Sequence, residues 1–203
     1  AFIFGIIEGV TEFLPISSTG HLIYANKLLG ITGEFAKSFD IAIQLGAILA
    51  VAVLYFKVLI KNWAIWQRIL TAFLPTGVLG LIFYKLIKKY LLANGTVVVW
   101  ALLLGGIAII VFEEWRKKKG IEEDAEDKNG ETNLSSITFR QSFLIGIFQS
   151  IAMVPGVSRS AATIIGGMAL GVKRKTIVEF SFLLALPTMA AATGLDLMKN
   201  AAS

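Results

Sequence analysis

Three stretches of this chain, Ile41 to Phe56, Ile69 to Tyr84 and Thr96 to Phe112, run for 16 or 17 residues without a charged side chain. Segments of this kind belong in hydrocarbon, where every backbone N–H and C=O must be satisfied inside the segment, and that requirement forces helix. A crossing helix needs about 20 residues. Each stretch is slightly short, so Lys57 and Lys85 are expected to snorkel and Tyr55, Tyr84 and Trp115 to anchor at the interface. A fourth segment, Ile177 to Met198, contains Pro187 and Asp196 and is a less ideal crossing. Composition agrees: 56% of the 203 residues are hydrophobic and 16% charged, with a mean hydropathy of +0.74, which excludes a disordered chain. Without cysteine, disulfides, thiolate nucleophiles and cysteine-ligated metals are excluded. The net charge of +5 is expected in loops facing a membrane surface, and nucleic acid is not expected as a partner.

Two further apolar stretches are interrupted by polar residues and a helix breaker. Ala1 to Leu29 contains Glu8, Glu12, Pro15, Ser17, Ser18 and His21; Gln141 to Leu170 contains Gln149, Pro155, Ser158, Arg159 and Ser160. Irregular backbone at membrane depth is tolerated where protein or a watery cavity satisfies it, so both are expected to be re-entrant helical hairpins. They also resemble each other. Gly5-Ile6-Ile7-Glu8 aligns with Gly146-Ile147-Phe148-Gln149, Pro15-Ile16-Ser17 matches Pro155-Gly156-Val157-Ser158 after a one-residue gap, and Phe39, Leu45 and Ala50 return as Phe180, Leu186 and Ala191. Three crossings between the copies invert the second relative to the first.

The expected architecture is therefore an all-α polytopic membrane protein, an inverted-topology repeat whose two re-entrant hairpins meet near the bilayer midplane. Residues 1–112 form the first repeat, a hairpin over 1–29 plus three crossing helices. Residues 113–138 form a charged cytoplasmic loop, and 139–203 the second repeat, a hairpin plus one crossing helix. Loops 57–68 and 113–140, with Lys173, Arg174 and Lys175, carry 12 Lys and Arg against six on the opposite faces. By the positive-inside rule the richer side is cytoplasmic and the first hairpin opens outward. Counterparts of the second and third crossings would start at about residue 210, past Ser203, so the second half is expected to be truncated. The opening at Ala1 without a methionine suggests a trimmed start.

Charged groups inside apolar segments mark function, because each costs roughly 2.5 to 3.5 kcal/mol at the bilayer centre unless paired or hydrated. Glu8 and Glu12, four residues apart, project from one helix face and need a partner: Arg159, protonated His21, or a divalent ion such as Mg2+ or Ca2+. Pro15 should end the first half-helix, and Ile16 to Gly20 offers hydroxyls and an N-cap for the next. N–H groups at such a start bind phosphate. The second hairpin repeats the design and adds the planar guanidinium of Arg159. Ser17, Thr19, Ser158, Arg159, Ser160 and Thr163 are the expected substrate-binding residues, Glu8 and Glu12 the metal ligands, and Glu12, Ser18, His21 and Arg159 the catalytic ones.

Glu8-Gly9-Val10-Thr11-Glu12-Phe13-Leu14-Pro15-Ile16-Ser17-Ser18-Thr19-Gly20-His21 and Pro155-Gly156-Val157-Ser158-Arg159-Ser160-Ala161-Ala162-Thr163 closely resemble the two signature motifs of the bacterial undecaprenyl-diphosphatase family, the bacitracin-resistance phosphatases. The resemblance extends to Phe39 through Leu49 and to Glu179 through Ala185. It implies a multi-pass plasma-membrane enzyme that removes the terminal phosphate of undecaprenyl diphosphate, recycling the lipid carrier of peptidoglycan precursors. It also implies divalent-cation dependence and an active site facing the outer, periplasmic side. The expected mechanism has Ser18 attack the terminal phosphorus while His21 or Glu12 takes its proton; attack by water activated by Glu12 competes with it. A polyprenyl diphosphate lipid is the expected substrate and a homodimer a further expected partner. The alternative function is a transporter or flippase for an anionic lipid phosphate, since broken helices in inverted repeats also build carriers.

Overall fold

The computed structural model describes residues 1–31, 33–87, 95–120 and 133–200. Much of the charged loop expected over 113–138 therefore lies outside the described residues. All regular structure among the described residues is helical: α1 (Phe2–Thr11), α2 (Ser18–Leu28), α3 (Glu34–Leu54), α4 (Phe56–Lys61), α5 (Trp63–Leu86), α6 (Gly95–Lys118), α7 (Phe139–Ser150), α8 (Arg159–Ala169) and α9 (Arg174–Asn200), with single 3₁₀ turns before and after α7.

Three of these helices are long and apolar enough to cross a membrane: Trp63–Phe83, Gly95–Lys118 and Arg174–Leu195. They account for three of the four expected crossings, two of the charge-free runs and the segment with Pro187 and Asp196, and the chain is a multi-pass membrane protein. The remaining run is apolar over Ala42–Leu54, short of the usual span. There the helix breaks at Tyr55, whose φ of −98° and ψ of 12° turn the chain into α4.

The buried core lies where α5, α7 and α9 pack together. Ile65, Ile69 and Ala72 of α5 meet Ile145 of α7 and Ile177, Phe180, Leu183 and Leu184 of α9, with Leu134 and Ile137 closing one end. Small residues let helix backbones approach closely in a membrane protein, where packing and polar contacts replace the hydrophobic drive. Gly146 is such a residue: a Cβ there would lie 2.0 Å from the Ala72 carbonyl oxygen. Beside it Thr76 donates to the Gly146 carbonyl at 3.0 Å, and the Gln149 amide donates to Thr76 at 2.9 Å and Thr188 at 3.2 Å. Thr76 and Thr188 each follow a proline inside its helix, Pro75 of α5 and Pro187 of α9. A helix-interior proline removes one ladder bond, and polar side chains of neighbouring helices are how such positions are held in membranes.

Capping explains where α7 starts. Thr138 accepts from the Gln141 N–H at 3.2 Å while the Gln141 side chain accepts from the Thr138 N–H at 2.9 Å, a reciprocal capping box. The same Gln141 amide reaches the Leu170 carbonyl at 3.1 Å, tying the start of α7 to the end of α8. The two short helix pairs, α1 with α2 and α7 with α8, are joined by turns over residues 12–17 and 151–158.

Gly146→Ala should lower the thermal stability of the purified protein by about 1–3 kcal/mol, the usual cost of overpacking. Gly5→Ala, where a Cβ would meet nothing within 4 Å, should be neutral or stabilising by roughly the helix propensity difference of ~1 kcal/mol. Melting of both variants in detergent checks the pair.

Candidate active site

The turns between α1 and α2 and between α7 and α8 meet at a cleft of about 240 Å³. Glu12 caps the C-terminal end of α1, Ser17 and Ser158 are the N-caps of α2 and α8, and Ser18 and Arg159 are the first residues of those two helices. The cap geometry follows from the sequence. Ser17 accepts from the Gly20 N–H at 3.4 Å and Ser158 from the Ala161 N–H at 3.2 Å, each satisfying one of the free donors at a helix start. Ser17 is held at φ 62°. That region is costly for a residue with a Cβ and persists where the surroundings dictate it.

Three expected residues form one connected unit. The Arg159 Nη2 donates to Glu12 Oε1 at 2.8 Å, an ion pair whose side chains are 14% and 10% exposed. Ser18 Oγ donates to the other carboxylate oxygen, Oε2, at 2.5 Å. Arg159 Nη1 donates to the Ser181 carbonyl of α9 at 2.9 Å. Both oxygens of Glu12 are therefore engaged, one by the guanidinium and one by the hydroxyl. A deprotonated carboxylate is the form that accepts from both.

The turns interlock around this unit. Ser160 donates to the Leu14 carbonyl at 3.0 Å and lies 3.0 Å from the Ser158 hydroxyl, joining the start of α8 to the first turn. Phe13 packs edge-on against Phe182 of α9 with centroids 5.3 Å apart. Gly156 has φ +93°, and a Cβ there would lie 2.7 Å from the Val98 carbonyl oxygen, so glycine is required both for the backbone angle and for the approach to α6.

The remaining expected residues take other places. Ser17, Thr19, Ser158 and Ser160 line the cleft with the central unit. Thr163 is fully buried and lies 2.6 Å from the Ser181 hydroxyl, between α8 and α9. His21 is exposed; its Nδ1 is 2.8 Å from the Ser17 carbonyl oxygen. The ring faces a second, apolar groove of about 560 Å³, formed with Ile6, Val10, Tyr24 and Leu102. Thr11 lines both the groove and the cleft.

Glu8 is 1% exposed and neither of its carboxylate oxygens has a hydrogen-bond partner. A buried carboxylate without partners is expensive, and two spare hard oxygens suit Mg2+ or Ca2+. Glu8 thus fits a divalent cation, whereas Glu12 is already committed. Among the described residues no three His, Cys, Asp or Glu side chains gather into a metal-binding cluster. Sequence reasoning did not single out Asp40, whose Oδ2 accepts from Asn26 Nδ2 at 2.8 Å and whose Oδ1 is buried without a partner. Nor did it single out Ser181. The available signal was the alignment of the two halves, which places Asp40 opposite Ser181 one residue after the matched pair Phe39 and Phe180.

These features define a multi-pass membrane protein with an internal acid–hydroxyl–guanidinium centre at two helix N-termini. The sequence profile of the bacitracin resistance protein BacA matches residues 1–203, and the chain belongs to that family. It is 53% identical over 204 residues to an undecaprenyl-diphosphatase of Aquifex aeolicus, an alignment covering 100% of this chain and 76% of the relative. It is 51% identical over 201 residues to the protein of that name from Persephonella marina, covering 98% and 75%. It is 50% identical over 203 residues to that from Campylobacter jejuni strain 81-176, covering 98% and 72%.

The Glu12–Arg159 pair is largely withdrawn from water, so removing one partner leaves an uncompensated charge. Glu12→Ala should destabilise by about 3–5 kcal/mol. Glu12→Ala/Arg159→Ala should recover part of that loss, a coupling of about 0.5–3 kcal/mol, measured by a double-mutant cycle on unfolding in detergent.

Proposed function

We propose that this chain is an integral-membrane undecaprenyl-diphosphatase, hydrolysing undecaprenyl diphosphate to undecaprenyl phosphate and phosphate and so recycling the cell-wall lipid carrier. The observation that carries the mechanism is the Ser18 hydroxyl bonded to a carboxylate that is itself paired with a guanidinium. Kinship with proteins named undecaprenyl-diphosphatase at 50% identity and above supports the substrate.

In this reading the diphosphate enters the cleft and its oxygens meet Arg159, the N–H groups opening α2 and α8, and the hydroxyls of Thr19, Ser158 and Ser160. Ser18 Oγ attacks the terminal phosphorus in line as Glu12 Oε2 takes its proton. The bond from that phosphorus to the bridging oxygen breaks, and the lipid phosphate leaves carrying the proton that Glu12 passes to it. Water then attacks the phosphoserine and gives its proton to the freed Glu12, which returns it to Ser18 Oγ as the phosphorus–serine bond breaks and inorganic phosphate departs. Ser17 holds the start of α2, and Thr163 holds α8 against α9. His21, bonded to the Ser17 carbonyl, supports that strained turn from the groove side, and the serine proton goes to Glu12. A bound divalent cation would neutralise charge on the diphosphate, and Glu8 is the residue with free oxygens to hold it.

The shared wall at Thr11 between a polar cleft and an apolar groove supports an amphiphilic substrate. The inverted repeat is supported by element bounds: α2, Ser18–Leu28, and α8, Arg159–Ala169, each have 11 residues and the same serine N-cap. A re-entrant reading of both helix pairs rests on their length, since a helix of about 11 residues spans roughly 16 Å, half a bilayer core. The distribution of Lys and Arg supports a site opening on the outer side of a bacterial plasma membrane. The apolar residues exposed on α1, Phe2, Ile3 and Ile6, support contact with lipid or with a second copy in a homodimer.

Phosphate release from undecaprenyl diphosphate by the purified chain tests the reading directly. Turnover should fall to background in Ser18→Ala and by about 10²- to 10⁴-fold in Glu12→Gln, while substrate labelled in its terminal phosphate should leave a trapped phosphoenzyme in the native protein. Retained turnover in Ser18→Ala would favour activated water. Uptake of the lipid phosphate into vesicles with no hydrolysis would instead favour a carrier.

A further inference from the structure

Two carboxylates on α1 and α3 have buried oxygens without partners, and Glu12 is not one of them. Glu8 has both oxygens buried and unpartnered, and Asp40 has Oδ1 in the same condition. Glu12 gives one oxygen to Arg159 and the other to Ser18. Glu8 and Asp40 lie on helices α1 and α3, which meet through an edge contact of Phe4, one turn before Glu8, with Phe39, the neighbour of Asp40, at 6.1 Å between centroids. Asn26 of α2 donates to Asp40 Oδ2 at 2.8 Å. That bond fixes the carboxylate and leaves Oδ1 as its free donor atom.

Glu8 is buried without a partner, and Asp40 has one oxygen in the same state; like charges on neighbouring helices repel, and each such oxygen has lost its water. A divalent cation between them removes both costs at once. Mg2+ is commonly held by one or two carboxylates, keeping several waters and taking substrate phosphate oxygens as its other ligands. A two-carboxylate site of this kind agrees with the lack of any three-residue acidic or histidine cluster among the described residues.

We infer that Asp40, oriented by Asn26, shares with Glu8 the divalent cation of this site, and that Glu12 is reserved for Ser18 and Arg159. The use to which the ion is put rests on the phosphatase reading; the binding site does not. The division of labour is chemical. Glu12 must be free to accept a proton, and a carboxylate clamped on a cation is a weaker base.

The test is Mn2+ binding by the full chain in lipid nanodiscs, followed through the electron paramagnetic resonance of free Mn2+. The native chain should bind one ion. Glu8→Gln and Asp40→Asn should each weaken binding by about tenfold or more, Glu12→Gln by no more than about threefold, and Asn26→Ala, which keeps both carboxylates, by an intermediate factor. Melting in the absence of cation checks that the variants fold, and Asn26→Ala alone carries the comparison where Asp40→Asn does not. Native-like binding by Asp40→Asn and Asn26→Ala, loss of binding in Glu12→Gln equal to that in Glu8→Gln, or no ion bound by the native chain overturns the inference. Mn2+ binding in the expected pattern without phosphate release from undecaprenyl diphosphate would leave this inference standing and sink the phosphatase reading. Phosphate release with unaltered binding in Asp40→Asn and Asn26→Ala would do the reverse.

Discussion

The carboxylate of Glu12 is the contact on which the rest of the centre depends. Its partners come from opposite directions: Ser18 is six residues away in the same helix pair, and Arg159 is 147 residues away in the other. Bringing a guanidinium and a carboxylate together out of water costs desolvation that their attraction scarcely exceeds, so the pair is a poor way to stabilise a fold. It is an effective way to fix register. With Arg159 also bonded to the Ser181 carbonyl, the start of α8 is pinned at once to the first turn and to α9.

The surrounding contacts act in the same direction. Ser160 on the Leu14 carbonyl and Phe13 against Phe182 hold the two turns in register without adding charge. The positive φ of Ser17 is a local cost that these contacts sustain, and it sets Ser18 as the first residue of α2 with its hydroxyl on Glu12. Gly156 lets the second turn sit against α6 at a distance no larger residue allows. The centre is thus positioned by backbone more than by long side chains, which suits groups that must stay aligned through a reaction.

How much of this was legible in the sequence differs by level. Charge-free length identified α5 and α6 as membrane helices, because hydrocarbon permits few other solutions, and the less ideal fourth segment, with Pro187 and Asp196, is membrane-length as α9. The helix starts were legible too: a serine after the proline in each hairpin proved to be the cap, at Ser17 and Ser158. That Glu12 needs a partner followed from asking which buried charges must be paired, with Arg159, His21 and a divalent ion as candidates; Ser18 entered through the family resemblance. What sequence could not supply was the direction of each side chain. Glu8 and Glu12 share a helix face by spacing, yet one is bonded at both oxygens and the other has no partner. His21 follows Ser18 by three residues, yet it bonds the carbonyl behind it. Asp40 reads as the last charged residue before an apolar run, and its position relative to Glu8 depends on how α3 packs on α1 through Phe39 and Phe4. That packing is set by long-range contacts with no local signature.

The arrangement bears on the proposed role of Arg159 towards a second anion. A guanidinium carries five N–H donors in a fixed plane. The bonds to Glu12 and to the Ser181 carbonyl use one each from Nη2 and Nη1, so phosphate oxygens entering the cleft can meet remaining donors without dismantling the ion pair. A guanidinium gripping Glu12 through both oxygens in the usual bidentate manner would have left Ser18 to share an oxygen already bonded to a cationic donor, whereas here Oε1 accepts from Arg159 and Oε2 from Ser18. Single-point contact, weaker as a salt bridge, is what leaves the centre open for chemistry.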